Sequence, residues 1–112
     1  MNIQETAGGL QQEFRRGTLI MVVLSQLREP TYGYHLVQKL NDHGIPMEAN
    51  TLYPLMRRLE SQGLLCSQWD TTESKPRKYY RITEDGIRVL EEVKTYWKEY
   101  TEDVNSLLEE ER

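Results

Sequence analysis

The sequence predicts a mainly α-helical fold carrying one small β-hairpin and ending in a long helix. Three observations predict it. Between Asn50 and Leu65, the residues Leu52, Leu55, Met56 and Leu59 follow spacings of three, one and three, which lines them along one stripe of a helix that must face a core. The runs Leu64 to Trp69 and Arg77 to Ile82 are rich in strand formers and flank a polar, turn-like loop. Finally, Leu90, Val93, Trp97, Tyr100, Val104 and Leu107 alternate spacings of three and four, a heptad-like seam.

In chain order, Met1 to Gly9 is polar with paired glycines and reads as a flexible start. A first helix is expected from Leu10 to Arg28, with apolar positions at Leu10, Phe14, Ile20, Val23, Leu24 and Leu27. Its middle is apolar nearly all round, as in a helix buried on more than one side. Pro30 ends it, because the residue before a proline disfavours the helical conformation. Thr31 is the expected cap of a second helix, Tyr32 to about Asp42, and Gly33 in its first turn permits a close approach by a neighbouring helix.

Gly44, Ile45 and Pro46 connect to the third helix. Pro54 is free of cost only in a first turn, which argues for a cap near Asn50 or Thr51, while a start at Glu48 would leave Pro54 interior. Gly63 is the C-terminal stop. Two short helices joined by a glycine-containing turn form a helix-turn-helix candidate, although many helical hairpins bind nothing.

In the second strand, Lys78, Tyr80 and Ile82 share one face, and Arg77, Tyr79 and Arg81 the other. Tyr80 and Ile82 are expected to pack inward, with Lys75, Arg77 and Lys78 near the tip. Such a basic hairpin can touch phosphates as a wing, or be a solvated edge whose lysines deter aggregation. Thr83 caps the last helix, expected from Glu84 to about Glu109. At 1.5 Å per residue it is about 39 Å long, more than so small a domain can cover, so part of it must find another surface. Pairing with a second copy, against its first helix as well, is the simplest solution.

Composition bounds the function. At 112 residues, with 29% charged and 38% hydrophobic residues, one domain is expected, with little room for an enzyme's second layer. The longest apolar run, Leu19 to Leu24, falls far short of the roughly 20 residues of a membrane span. The start MNIQETAGG lacks the features of an export signal, so the cytoplasm is the expected location. Cys66, the single cysteine, reads as a small buried hydrophobe. His35 and His43, eight residues apart, do not make a metal site, and no nucleophile elbow or glycine-rich phosphate loop is present. No catalytic residue, metal or cofactor is expected.

The net charge of −4 conceals an uneven distribution. Residues 48–82 hold six basic and four acidic residues, and residues 83–112 four basic and ten acidic. A DNA-binding face needs only local positive potential, because phosphate attraction is screened beyond about 10 Å in ordinary salt.

YGYHL at Tyr32 to Leu36, TLYPLMRRLESQGLL at Thr51 to Leu65, RKYYRIT at Arg77 to Thr83, and Trp97 together resemble the PadR family of bacterial transcriptional regulators. The resemblance runs from about Leu19 to Tyr100, and Asn50 stands where many relatives carry glycine. It implies a winged helix-turn-helix over residues 10–82 and a dimerisation helix over 83–112, as in the short-tailed, multidrug-sensing members. A homodimer formed through the first and last helices is then expected, paired along Leu10, Phe14, Leu90, Val93, Trp97, Tyr100, Val104 and Leu107. The implied activity is repression by binding double-stranded DNA.

Asn50, Thr51, Tyr53 and Arg57 would face the major groove, where asparagine pairs with adenine and arginine with guanine. Thr31 and Tyr32 would hold phosphates at the second helix's start. Lys75, Arg77 and Lys78 would contact phosphate or the minor groove. In some short-tailed members of the family it resembles, an aromatic residue of the last helix lines a dimer-interface cavity that accepts flat hydrophobic compounds. Trp97 occupies the matching place, with Phe14, Met21, Tyr96 and Tyr100 nearby. A tryptophan that simply fills the interface is the alternative for Trp97, and a helical protein-interaction module without DNA binding is the alternative for the whole chain.

Overall fold

The computed structural model describes residues 1–110. Its elements are α1 (Ile3–Ser25), β1 (Thr31–Tyr32), α2 (Gly33–Asp42), α3 (Ala49–Ser61), β2 (Leu65–Asp70), β3 (Arg77–Ile82) and α4 (Glu84–Glu109). The three strands form an antiparallel sheet in the order β1-β3-β2, with Leu65 opposite Ile82 and Thr31 opposite Tyr80. This is a winged helix-turn-helix followed by a long helix.

One apolar core holds these elements together. Val23, Leu24 and Leu27 of the first segment meet Leu36 and Leu40 of α2 and Leu52, Met56 and Leu59 of α3, and the sheet adds Leu65, Tyr80 and Ile82. No polar side chain is buried among the described residues. The inward placement expected for Tyr80 and Ile82 is what the structure shows.

Glycines stop α2 and α3 in the same way. Gly44 and Gly63 both have φ near +80° (79° and 83°), the left-handed region that a side chain strains. After α2, the Ile45 N–H donates to the Leu40 carbonyl and Gly44 to Asn41; after α3, Leu64 donates to Leu59 and Gly63 to Glu60. Each pair of bonds satisfies carbonyls that the helix end would otherwise leave open.

Several boundaries differ from those read in the sequence. The first helix was expected to start at Leu10, after a flexible segment, but α1 is helical from Ile3, where the Asn2 side chain accepts the Glu5 N–H at 3.1 Å and caps it. Gly8 and Gly9 weaken a helix by about 1 kcal/mol each relative to alanine without forbidding it. Thr31 does not cap α2. It lies in β1, and its hydroxyl donates to the Glu29 carbonyl. Tyr32 takes the cap position with no side-chain bond. α3 starts at Ala49, ahead of the cap expected near Asn50 or Thr51, so Pro54 is interior. Pro54 has no N–H for the carbonyl of Asn50, which is an exposed residue. Leu90, expected in the seam between copies, is fully buried within this chain and belongs to its own core.

α4 starts and stops where the sequence places it. The Thr83 hydroxyl accepts the Gly86 N–H at 3.0 Å, and Glu84 and Asp85 favour the positive end of the helix. Gly86 lies so close to α3's exit that a β-carbon there would strike the Leu64 carbonyl oxygen and Ile82. Gly86→Ala is therefore expected to destabilise the fold by about 1–3 kcal/mol, as overpacking does. The helix preference of alanine, about 1 kcal/mol, works in the opposite direction. Urea denaturation decides the sign, and an unchanged or raised midpoint would show that the junction has room for a methyl group.

Candidate nucleic-acid interface

Helix α3 divides cleanly. Leu52, Met56 and Leu59 are fully buried, while Asn50, Thr51, Pro54, Arg57 and Arg58 are exposed. Asn50, Pro54 and Arg57, at spacings of four and three, form the outward stripe, with Thr51 and Arg58 along one edge. Tyr53, at the other edge, is half-buried against α2. A β-carbon on Gly33 would meet the Tyr53 ring and, at 3.0 Å, the Met56 methyl, so Gly33 lets α2 and α3 close together as the sequence suggests.

The wing flanks α3 on the Tyr53 side. A cleft of about 420 Å³ gathers Tyr32, Tyr53, Arg77 and Lys78, so four of the expected contact residues share one concavity. Tyr34 and His35 of α2 line it too, both exposed, although the sequence reading gave them no contact role. Their signal was the YGYHL run itself.

Of the tyrosines that line the cleft, Tyr32 is tied down from behind by Tyr79 and Asp70. The Tyr32 and Tyr79 rings stack at 3.7 Å, and the Tyr79 hydroxyl donates to that of Tyr32, which donates to Asp70 Oδ2 at 3.1 Å. The Tyr79 hydrogen bond, aided by desolvation and the nearby Asp70, pushes the Tyr32 phenol well above its ordinary range. Asp70 is held below the usual carboxylate range, first by the Thr72 N–H at 3.0 Å and then by the Thr72 hydroxyl at 2.7 Å.

The wing cations differ in their freedom. Arg77 lies 5.1 Å over the Tyr32 ring and pairs loosely with Glu73 at 3.8 Å. Lys78 is on the opposite face, 3.6 Å from Glu60 of α3 and 5.1 Å over the Tyr80 ring, with its side chain only 27% exposed. Lys75 is exposed at the tip. The open positions are thus Asn50, Thr51, Arg57, Lys75 and Arg77, whereas Thr31, Tyr32, Tyr53 and Lys78 also serve the fold. Arg58, equally exposed beside Arg57, belongs with the first group; its basic charge next to an expected contact was the available signal.

A second concavity, about 390 Å³ and largely apolar, lies between α1 and α4. Phe14 and Met21 face Val93, Trp97 and Tyr100 across it, and Tyr96 stacks on Tyr100 at 5.5 Å. Phe14 is 73% exposed and Trp97 44%, so the chain by itself leaves these rings open to water. No described helix is long and apolar enough to cross a membrane. No cluster of three potential metal ligands occurs among the described residues.

Residues 20–92 match the model of the "Transcriptional regulator PadR-like family". A transcriptional regulator of Mycobacterium tuberculosis, Rv3488, is 32% identical over 94 residues, which cover 83% of this chain and 88% of that one. Among solved structures, a PadR family transcriptional regulator from Eggerthella lenta is 63% identical, with TM-score 0.91 and 94% of each chain covered. A PadR-like transcriptional regulator from Bacillus cereus is 34% identical, with TM-score 0.77, over 86% of this chain and 96% of that one.

The Asp70 geometry sets a pH dependence. A carboxyl whose folded pKa is lowered contributes stability above its unfolded pKa, about 3.9, and loses it as pH falls through the folded value. Asp70→Asn is therefore expected to be less stable than the wild type at pH 7, with the gap narrowing at pH 3. Urea denaturation at both pH values measures it. An equal gap at both would show that the charge on Asp70 does not hold the wing.

Proposed function

The chain belongs to the PadR-like family of transcriptional regulators, and from that premise we propose that it is a repressor that binds an inverted-repeat operator as a homodimer. The observation that carries this reading is the outward stripe of α3, with Asn50 and Arg57 exposed and the cationic wing beside it. Asn50 suits adenine and Arg57 suits guanine in the major groove. Lys75 and Arg77, with the first turn of α2, would engage phosphates that fix register without reading sequence.

Dimerisation is supported by the exposed apolar residues on α1 and α4. Leu10, Phe14, Trp97, Tyr100 and Leu107 are each 44% exposed or more, too much aromatic and aliphatic surface in one region for a small monomer to leave wet. Two copies paired here would each present an α3, and half-sites about 10 base pairs apart, or a multiple of that, would follow. The homodimer would reside in the cytoplasm, where its DNA is. A helical protein-interaction module without DNA binding would have no use for a base-reading stripe beside a basic wing.

The apolar concavity supports a flat aromatic or phenolic, drug-like effector stacking on Trp97 between Phe14, Met21 and Tyr100. Its lining offers few polar groups, which suits a ligand recognised by ring area more than by hydrogen bonds.

Two experiments test this function. Selection of genomic fragments by the purified protein, followed by footprinting, is expected to give a two-fold symmetric protected site. Arg57→Ala should weaken binding to it by about 1–3 kcal/mol without changing the oligomeric state. Protection of a single asymmetric half-site would sink the symmetric dimer, and undiminished affinity would remove Arg57 from base reading. In a Trp69→Phe background, planar aromatic compounds are expected to quench Trp97 fluorescence; no response across a varied panel would leave Trp97 as interface packing.

A further inference from the structure

We propose that Arg15 and Arg16 of α1 grip the DNA phosphate strand that borders α3 on the side away from the wing. The inference rests on the DNA-binding reading above and adds a contact that the helix-turn-helix and wing do not supply.

A cleft of about 390 Å³ runs between α1 and the start of α3, lined by Arg15, Arg16 and Leu19, by Pro46 and Glu48 of the connection, and by Thr51. On a helix of 3.6 residues per turn, Arg15, Arg16 and Leu19 lie roughly opposite Phe14, Gly17 and Met21. The latter three line the apolar concavity against α4. Pairing of two copies through that concavity therefore leaves the arginine face of α1 uncovered.

The position of Thr51 orients this face. On α3, Thr51 and Arg58 form one edge of the outward stripe and Tyr53 the other. Tyr53 lines the wing-side cleft with Arg77, and Thr51 lines the α1-side cleft with Arg15 and Arg16. The stripe of Asn50, Pro54 and Arg57 is thus flanked by cationic clefts on both sides. A major groove about 12 Å wide has one phosphate strand along each wall. With α3 in the groove, the wing meets one strand and the α1 arginines meet the other.

The chemistry agrees. Both arginines are exposed, and among the described residues neither guanidinium is in an ion pair with a carboxylate. Glu48 is the one carboxylate lining the cleft, against two guanidinium groups. Arginine presents a planar fork of donors that matches two phosphate oxygens. An unpaired arginine doublet beside a base-reading helix is suited to a strand of phosphates.

The test compares the full-length wild type with Arg15→Gln/Arg16→Gln and Arg15→Lys/Arg16→Lys on the duplex that the wild type enriches from a random-sequence pool, with affinity followed across a salt series. Each lost phosphate contact is expected to lower the slope of log K against log salt by about 0.9. The glutamine pair should therefore show a shallower slope and weaker binding, with its preference for the selected duplex over a scrambled one unchanged. The lysine pair should keep a slope near the wild type's. Circular dichroism and thermal unfolding establish that both variants fold. If the folded glutamine variant keeps the wild-type slope while the wild type binds selectively, the α1 contact is overturned and the regulator reading stands. If sequence preference falls and the slope does not, the arginines act on bases and the phosphate assignment is overturned. If the wild type enriches no duplex, the DNA-binding reading itself fails and this contact with it.

Discussion

The geometry of this protein depends on a junction of four residues where α3 ends and α4 begins. Thr83 donates its N–H to the Leu64 carbonyl at 3.0 Å and its hydroxyl to the Gly63 carbonyl at 2.7 Å, while the same hydroxyl accepts the Gly86 N–H. Gly86, lacking a β-carbon, lets α4 press onto Leu64. A further bond from the Ile82 N–H to the Leu27 carbonyl, 2.7 Å long, ties the end of α1 to the same place. Two of these bonds join backbone to backbone and the other two share the single Thr83 hydroxyl, which leaves little side-chain freedom to absorb displacement. The start of α4, the stop of α3 and the exit of α1 are therefore held together at this point.

The wing is fixed to α3 by a second, more polar set of contacts. Glu60, near the C-terminal end of α3, pairs with Lys78 of β3 and accepts a hydrogen bond from Ser67 of β2. On the other face of the sheet, the Tyr32, Tyr79 and Asp70 network joins β1, β3 and β2. Lys78 thus positions the wing and leaves Lys75 and Arg77 as its outward charge. This division of labour explains how a chain of net charge −4 can present a cationic face. Its acidic excess lies along α4, and exposed charges farther apart than about 10 Å are largely screened from one another.

What the sequence disclosed follows the range of the interactions concerned. The α3 stripe, the Gly63 stop and the Thr83 cap are set by residues within one or two turns of one another, and the two hairpin strands by their own composition on either side of a polar loop, so each was readable locally. β1 was not. Two residues, Thr31 and Tyr32, become a strand only because Tyr80 and Tyr79 lie opposite them, nearly fifty positions away. Pro54 misled through its local cost: tertiary burial of Leu52, Met56 and Leu59 outweighs one missing helical hydrogen bond and starts α3 ahead of the proline's preferred turn. Leu90 misled in another way, since heptad spacing says that a residue is buried but not against which chain. The place of Arg15 and Arg16 beside α3 depends on how α1 crosses the connection, and no motif in α1 records that.

The two faces of α1 bear on how control could work. Phe14 and Met21 look into the apolar concavity, and Arg15 and Arg16 into the cleft beside Thr51, on one continuous helix. A helix of this kind moves as a rigid rod over a few turns, so any displacement on the Phe14 side is delivered to the arginine side. In the proposed dimer, a ligand wedged against Trp97 and a phosphate strand held at Arg15 would compete for the position of the same rod. Linkage is reciprocal: if ligand weakens DNA binding by a given factor, DNA weakens ligand binding by the same factor. The α3 side chains need not rearrange for this, because the Thr83 junction keeps α3 and α4 together and Leu27 anchors only the exit of α1, leaving the Phe14 to Arg16 stretch to carry the change.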